Sequence, residues 1–355
     1  MTDEREVFEK VEAQVRALTG GYTAVRSIPK GGFSFERKYL LSCGDAKRYL
    51  LRIAPPLSDP GVLPYKLAEF EVIRQLRNYS SLVPGAHAFG TSDDGSLCFM
   101  VLDFMEGTDG EAALGGLALQ DQYRLGVQAG RELKRLHAMP APKDLPDWPG
   151  AVSAKYARKA AAFDAQSLRP PGGIDRARLS RYIRENISCI HGAGRTFLHG
   201  DYHPANLIVR DGRLTGIIDF NRHDWGDPVH DFLKMAFFTR AISIPFSVGQ
   251  IDGYHEGPVP ALFWKGYAVY CALTIVLDLL WAHDYARKSG LPGEIGRSEA
   301  RVRRVYADHQ ALRWTSRAGT GSTRDEGAFR RERRGGAGSV FFCNRQENSG
   351  CCRGR

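Results

Sequence analysis

The chain has 355 residues, of which 43% are hydrophobic and 25% charged, enough to bury two lobes. Its formal net charge of +9 is concentrated at one end. Residues 312–355 hold ten arginines and four acidic residues, while the rest holds 39 basic and 36 acidic residues, a net of +3, which argues against a nucleic-acid-binding body. Seven cysteines in no zinc-site spacing, and a charged N-terminus without an apolar leader, predict a cytoplasmic protein with reduced thiols.

In chain order, Ser27–Glu36 carries the pair Gly31-Gly32 and then Ser34. Apolar runs follow at residues 37–42 and 47–54, with Cys43-Gly44-Asp45 as a turn between them. This reads as strand, glycine turn, strand, turn, strand, and taken alone it serves a plain hairpin equally well. Leu67, Phe70, Ile73 and Leu76 recur at helical spacing, with Glu69 and Glu71 in the same segment. Leu97–Asp103 is a continuous apolar run of the kind found in a buried strand, and Phe104–Gly107 follows as a hinge. Leu125, Ala129, Leu133 and Leu136 define a core helix, and Leu179, Ile183, Ile187 and Ile190 repeat that pattern. His137 ends the first of these helices and reads as structural. Residues 261–282 are strongly apolar, but Lys265 and Asp278 interrupt them, so a buried helix is expected rather than a membrane span.

The most specific signal is His199-Gly-Asp-Tyr-His-Pro-Ala-Asn206, followed by Ile218-Asp219-Phe220. Residues 206–210 and 213–219 read as two strands, and Asp211-Gly212 between them is a hairpin turn signal. The hairpin returns Asp219 to the cleft that holds Asp201. Phosphoryl transfer from a nucleotide suits this set. Asp201 receives the hydroxyl proton of an acceptor, and the oxygens of Asn206 and Asp219 suit magnesium on the phosphates. Asp227 and Asp231 flank Pro228 at a helix start, with Val229, Phe232, Leu233, Ala236 and Phe237 as its buried face. The two carboxylates read as supports for the loop. Arg222 and His223 read either as contacts for acceptor or phosphate, or as loop surface.

These motifs resemble the aminoglycoside phosphotransferase and small-molecule kinase family, relatives of the protein kinases. His199-Gly200-Asp201 stands where protein kinases have His-Arg-Asp, and Ile218-Asp219-Phe220 where they have Asp-Phe-Gly. Trp225–Asp231 resembles the family's Gly-Asp-Pro segment. The resemblance covers roughly residues 20–310. It implies an α+β, two-lobed protein-kinase-like fold with a small β-rich N-lobe at 1–103 and a larger helical C-lobe at 104–311. A basic, Gly/Ser/Arg-rich tail at 312–355 is expected to be disordered, and its abrupt change of composition points to an unrelated or frame-shifted extension.

The resemblance also implies ATP or GTP with Mg2+ as cofactors, and a hinge whose backbone pairs with the base. Gly31, Gly32 and Ser34 would approach the phosphates. Arg52 sits at the place of the phosphate-contacting lysine of the third strand, and its partner is Glu69 or Glu71, with Glu69 favoured by alignment to Leu76. Asp201 would be catalytic, Asn206 and Asp219 would hold the metal, and His199, Asp227 and Asp231 would support the loop. The expected acceptor is a small-molecule hydroxyl. An aminoglycoside-type antibiotic ranks first, which would make this a resistance enzyme, and Asp224, Asp252, Glu256, Asp278 and Asp284 are available for such a polycation. An endogenous metabolite of choline, homoserine or sugar type follows, and then a non-catalytic kinase-like nucleotide-binding protein. No membrane and no specific nucleic-acid partner are expected.

Overall fold

The computed structural model describes residues 4–29, 36–44, 46–54, 59–190 and 194–310. The chain opens with α1 (Glu4–Thr19). An antiparallel sheet follows, built from β1 (Ala24–Ile28), β2 (Arg37–Ser42), β3 (Arg48–Ile53), β4 (Ala86–Thr91) and β5 (Cys98–Asp103), in the order β1-β2-β3-β5-β4. Helix α2 (Val62–Leu76) is inserted between β3 and β4.

Both faces of this sheet are covered. Successive side chains of a strand point to opposite faces. Leu51 and Ile53 of β3, with Phe99 and Val101 of β5, pack under Val7, Val11 and Val15 of α1. Met100 and Leu102 of β5 face the other way, onto Phe70, Ile73 and Leu76 of α2. A strand buried on both faces has no polar alternation, which accounts for the unbroken apolar run of β5. The same alternation turns Arg52 away from the α1 side, toward α2.

Residues 104–107 cross to the second lobe. Arg48 of the sheet and Arg210 beyond the crossing both reach Glu106, at 3.1 and 3.4 Å. There β6 (Thr108–Asp109) and α3 (Gly110–Leu114) lead into α4 (Leu119–Leu136), α5 (Trp148–Ala165) and α6 (Arg176–Asn186). Next come β7 (Thr196–Leu198), the hairpin β8 (Leu207–Arg210) and β9 (Arg213–Ile217), and β10 (Asp224–Gly226), which pairs with β7. The hairpin turn is the expected one: Asp211 and Gly212 both have positive φ, 53° and 70°.

A π-helical turn, Met235–Thr239, runs into α7 (Arg240–Ile242) and α8 (Ile244–His255). The lobe closes with α9 (Ala261–Ser289) and α10 (Gly293–Gln310). Helices α4 and α8 meet backbone to backbone. A Cβ at Gly130 would lie 2.1 Å from the Gln250 carbonyl oxygen, and one at Gly253 2.1 Å from that of Val127. Helix α9 is long and apolar enough to cross a membrane, yet most of that stretch is buried inside the lobe, as the interrupting charges predict.

Candidate active site

Local backbone chemistry fixes the loop after β7. Gly200 has φ 73°, and a Cβ there would lie 2.1 Å from the Arg222 carbonyl oxygen, so only glycine fits between His199 and Asp201. His199 is fully buried. Its Nε2 donates to the Ile218 carbonyl at 3.1 Å and its Nδ1 accepts the Asp201 N–H at 3.3 Å, which defines a neutral tautomer. Burial also pushes its pKa down, in the same sense. Ile218 N–H donates to the Asn206 carbonyl at 3.0 Å. The segment before Asp219 is thus tied to the loop of Asp201 at two points.

Asp231 holds the loop from below. Its carboxylate accepts the His199 and Gly200 N–H groups, each at 2.7 Å, and His137 Nε2 at 3.1 Å. Burial opposes its charge, but the His137 contact outweighs it and the pKa is lowered. Asp227 caps the turn that carries Asp231: it accepts Val229 N–H at 3.0 Å and the Tyr270 hydroxyl at 2.8 Å. Tyr270 in turn accepts from Trp148 Nε1 at 2.8 Å. Burial raises the Asp227 pKa. His137, set aside as structural in the sequence, is in contact with this support through Asp231.

Asp201 faces the cleft. Lys234 Nζ lies 2.6 Å from its Oδ1, and Arg222 Nε stands 3.8 Å from its Oδ2. Burial alone would raise its carboxyl, but the Lys234 ammonium more than offsets that and holds it well below the usual carboxylate range. His203 Nε2 lies 3.7 Å from Oδ1, and burial pushes the His203 ring down to about 4, so it is neutral at pH 7.

Asn206 donates its Nδ2 to the Asp201 carbonyl at 2.9 Å, which leaves its Oδ1 for another partner. Asp219 takes the left-handed conformation, φ 67° and ψ 65°, and its carboxylate makes no hydrogen bond or ion pair with the described residues. Two hard oxygen donors on one cleft, one of them a carboxylate with no hydrogen bond or ion pair among the described residues, fit a magnesium ion that also carries phosphate oxygens.

In the N-lobe, Arg52 meets Glu69 as expected, Nη1 to Oε1 at 2.7 Å; Glu71 instead pairs with Arg74 at the surface. The pair is part of a larger ring. Arg52 Nε also reaches Glu36 at 2.7 Å, and Lys66 Nζ joins Glu36 at 2.6 Å and Glu69 at 2.7 Å. All four groups are buried. For Glu36, burial works against the charge but Arg52 and Lys66 outweigh it, bringing its carboxyl to about 2. Helix α2 also meets the metal-side segment, where Tyr65 stacks on His223 with ring centres 6.3 Å apart.

The expected Gly31, Gly32 and Ser34 lie outside the described residues, as does the tail 312–355. Sequence reading missed Glu36, Lys66 and Lys234. An i,i+3 signal links Lys66 to Glu69; nothing local marks Lys234. Of the carboxylates proposed for a polycation, Asp278 is bound by Arg301 at 2.9 Å, Asp284 by Arg287 at 3.1 Å and Glu256 by Arg131 at 3.1 Å. Asp252 accepts from Tyr123 at 3.1 Å, and Asp224 accepts its neighbour's N–H at 2.8 Å.

An antiparallel N-lobe sheet with one inserted helix, a mostly helical C-lobe and this loop between them define a small-molecule kinase of protein-kinase-like fold. The profile of the phosphotransferase enzyme family, APH, matches residues 25–269, and the chain belongs to that family. No curated protein matches the sequence. Solved structures of similar fold include a thermostable mutant of aminoglycoside phosphotransferase APH(4)-Ia in its apo form, 14% identical with a TM-score of 0.56 over 84% of this chain and 98% of that one. Macrolide 2'-phosphotransferase MphH from Brachybacterium faecium is 17% identical, TM-score 0.55, over 82% and 98%. The gentamicin complex of APH(2")-IIa is 17% identical, TM-score 0.59, over 85% and 96%.

Proposed function

We propose that the protein transfers the γ-phosphoryl group of ATP or GTP to a hydroxyl of a small molecule, with Asp201 as the base that orients the acceptor. The convergence of Asp201, Asn206 and Asp219 carries this reading: the Asn206 amide donates to the Asp201 carbonyl, and the N–H of Ile218, next to Asp219, donates to the Asn206 carbonyl. The phosphate-side cation is Arg52, fixed by Glu69, and Gly31, Gly32 and Ser34 are the residues proposed to approach the phosphates. Asn206 and Asp219 would hold Mg2+, which when bound neutralises charge on the phosphate oxygens. His199, Asp227 and Asp231 keep the loop in place. The reaction needs alignment and charge neutralisation more than covalent help from the protein, and a rigid, hydrogen-bonded loop supplies alignment. Four free cysteines among the described residues agree with a cytoplasmic setting.

The similar structures include enzymes named for aminoglycosides and a macrolide, which supports an antibiotic as acceptor. A specific observation favours the second reading, an endogenous hydroxylated metabolite. Four of the five carboxylates suited to a polycation are engaged by this chain's own side chains, and the groups beside Asp201 are cations, Lys234 and Arg222. Incubating the protein with magnesium and ATP or GTP, over kanamycin, choline, homoserine and glucose, tests both readings by the mass of the phosphorylated product. Magnesium-dependent nucleotide binding with no product from any acceptor would leave the non-catalytic alternative standing.

A further inference from the structure

Lys234 is the one charged side chain within 3 Å of the Asp201 carboxylate among the described residues, and no motif accounts for it. It sits on the helical segment after Asp231, directly before the π-helical turn Met235–Thr239. A π turn adds a residue to the local repeat and re-aims the side chains around it, and such turns recur at functional sites. Here the turn brings Phe238 back under the loop. His203 stacks on the Phe238 ring with centres 5.0 Å apart, and Lys234 Nζ lies 5.1 Å from the same ring. Arg301 covers that ring as well, at 4.9 Å, and is itself bound to Asp278. The ammonium is thereby packed from the side and pointed at a single oxygen.

A carboxylate has two oxygens and can present either to the acceptor. Lys234 takes Oδ1 at 2.6 Å, whereas the nearest cation to Oδ2, Arg222 Nε, stands beyond hydrogen-bond reach at 3.8 Å. From this asymmetry we infer that Lys234 is a positioning residue of the phosphoryl-transfer site, which fixes Asp201 so that Oδ2 faces the acceptor hydroxyl. The inference rests on the phosphotransferase reading above.

In the reaction, the acceptor oxygen forms a bond to the γ-phosphorus while the bond from that phosphorus to the β–γ bridging oxygen breaks. Its electron pair leaves with the nucleoside diphosphate. The acceptor proton passes to Asp201 Oδ2 and then to water. Lys234 holds Oδ1 throughout.

The test compares Lys234→Met, which keeps the length and removes the charge, with Lys234→Arg, which keeps the charge. Turnover is followed with magnesium-ATP or magnesium-GTP, whichever is used, and the most active acceptor among kanamycin, choline, homoserine, glucose and water. Lys234→Met is expected to lower kcat by about 10²-fold, as for a reacting group misplaced by ~1 Å, with nucleotide Kd and acceptor KM within about threefold of wild type. Lys234→Arg is expected to recover at least about tenfold of that loss. In an Asp201→Asn background, Lys234→Met should cost nothing further, because it acts through Asp201. Circular dichroism and the melting temperature establish that each variant is folded.

A crystal structure of Lys234→Met gives a readout independent of turnover: Asp201 is expected to rotate away from its wild-type rotamer. An unmoved Asp201, a folded Lys234→Met with wild-type kcat, or a loss confined to nucleotide affinity would overturn the inference. Absence of transfer by the wild type to every acceptor would defeat the proposed function instead, and the position of Asp201 would still decide this point.

Discussion

Replacing Asp231 by alanine tests whether the loop of Asp201 is held by one buried carboxylate. That carboxylate accepts the His199 and Gly200 N–H groups at 2.7 Å each and His137 Nε2 at 3.1 Å, with no exposure to solvent beyond 1%. Hydrogen bonds to a charged group contribute roughly 1.5–3 kcal/mol each, so three amount to roughly 4.5–9 kcal/mol in gross terms. Removing the carboxylate also removes the cost of burying it, and breaking buried charged contacts generally nets about 3–5 kcal/mol. Two backbone donors are then left facing a cavity. Asp231→Asn keeps one acceptor but presents an NH2 group to the second N–H, so it should cost about 2–3 kcal/mol and leave the loop displaced. Urea denaturation gives both values, and a parallel turnover assay should show a loss of at least about 10²-fold in either variant. A folded Asp231→Ala within about 1 kcal/mol of wild type and of normal activity would refute the reasoning.

The metal side predicts that Asp219→Ala weakens magnesium-dependent nucleotide binding more than Asn206→Ala, since it removes a whole charge; calorimetry with and without magnesium measures this, and equal affinity for wild type and Asp219→Ala would discount the assignment. Glu36 predicts an acid limb of stability. Its folded carboxyl lies at about 2, below an unfolded value near 4.5, so its contribution is complete above that value and is lost as pH falls toward 2. The size is roughly 3 kcal/mol, and in Glu36→Gln the slope of unfolding free energy over this window should flatten. Truncation after Ala311 should preserve folding and turnover while weakening adhesion to polyanions, because residues 312–355 carry a net of +6 and none of the residues proposed for the site lies among them; loss of activity would make the tail part of the enzyme.

The parts of the site visible in the sequence are those set by short-range chemistry. Asp211-Gly212 dictates a hairpin, the hairpin dictates that Asp219 returns to Asp201, and a glycine at 200 is forced by the Arg222 carbonyl. Arg52 and Glu69 are legible as a pair through the family resemblance, but the ring they belong to is not. Glu36 enters it only because β2 pairs with β3 and α2 docks on that face of the sheet. Lys234 is hidden for a different reason. A helical reading of 229–237 at 3.6 residues per turn assigns it to no contact, and the π turn that follows changes which faces meet the loop. Helix α1 shows the opposite case: Val7, Val11 and Val15 are a plain i,i+4 stripe that sequence reading passed over, and they cover one face of the N-lobe sheet.

The most direct measurement follows a labelled γ-phosphoryl group from magnesium-ATP or magnesium-GTP into an acceptor, for the wild type and for Asp201→Asn, alongside nucleotide affinity for both. The account predicts a phosphorylated small molecule from the wild type, and a fall of about 10²–10⁴-fold in Asp201→Asn with nucleotide binding retained. Transfer by Asp201→Asn at close to the wild-type rate would contradict it.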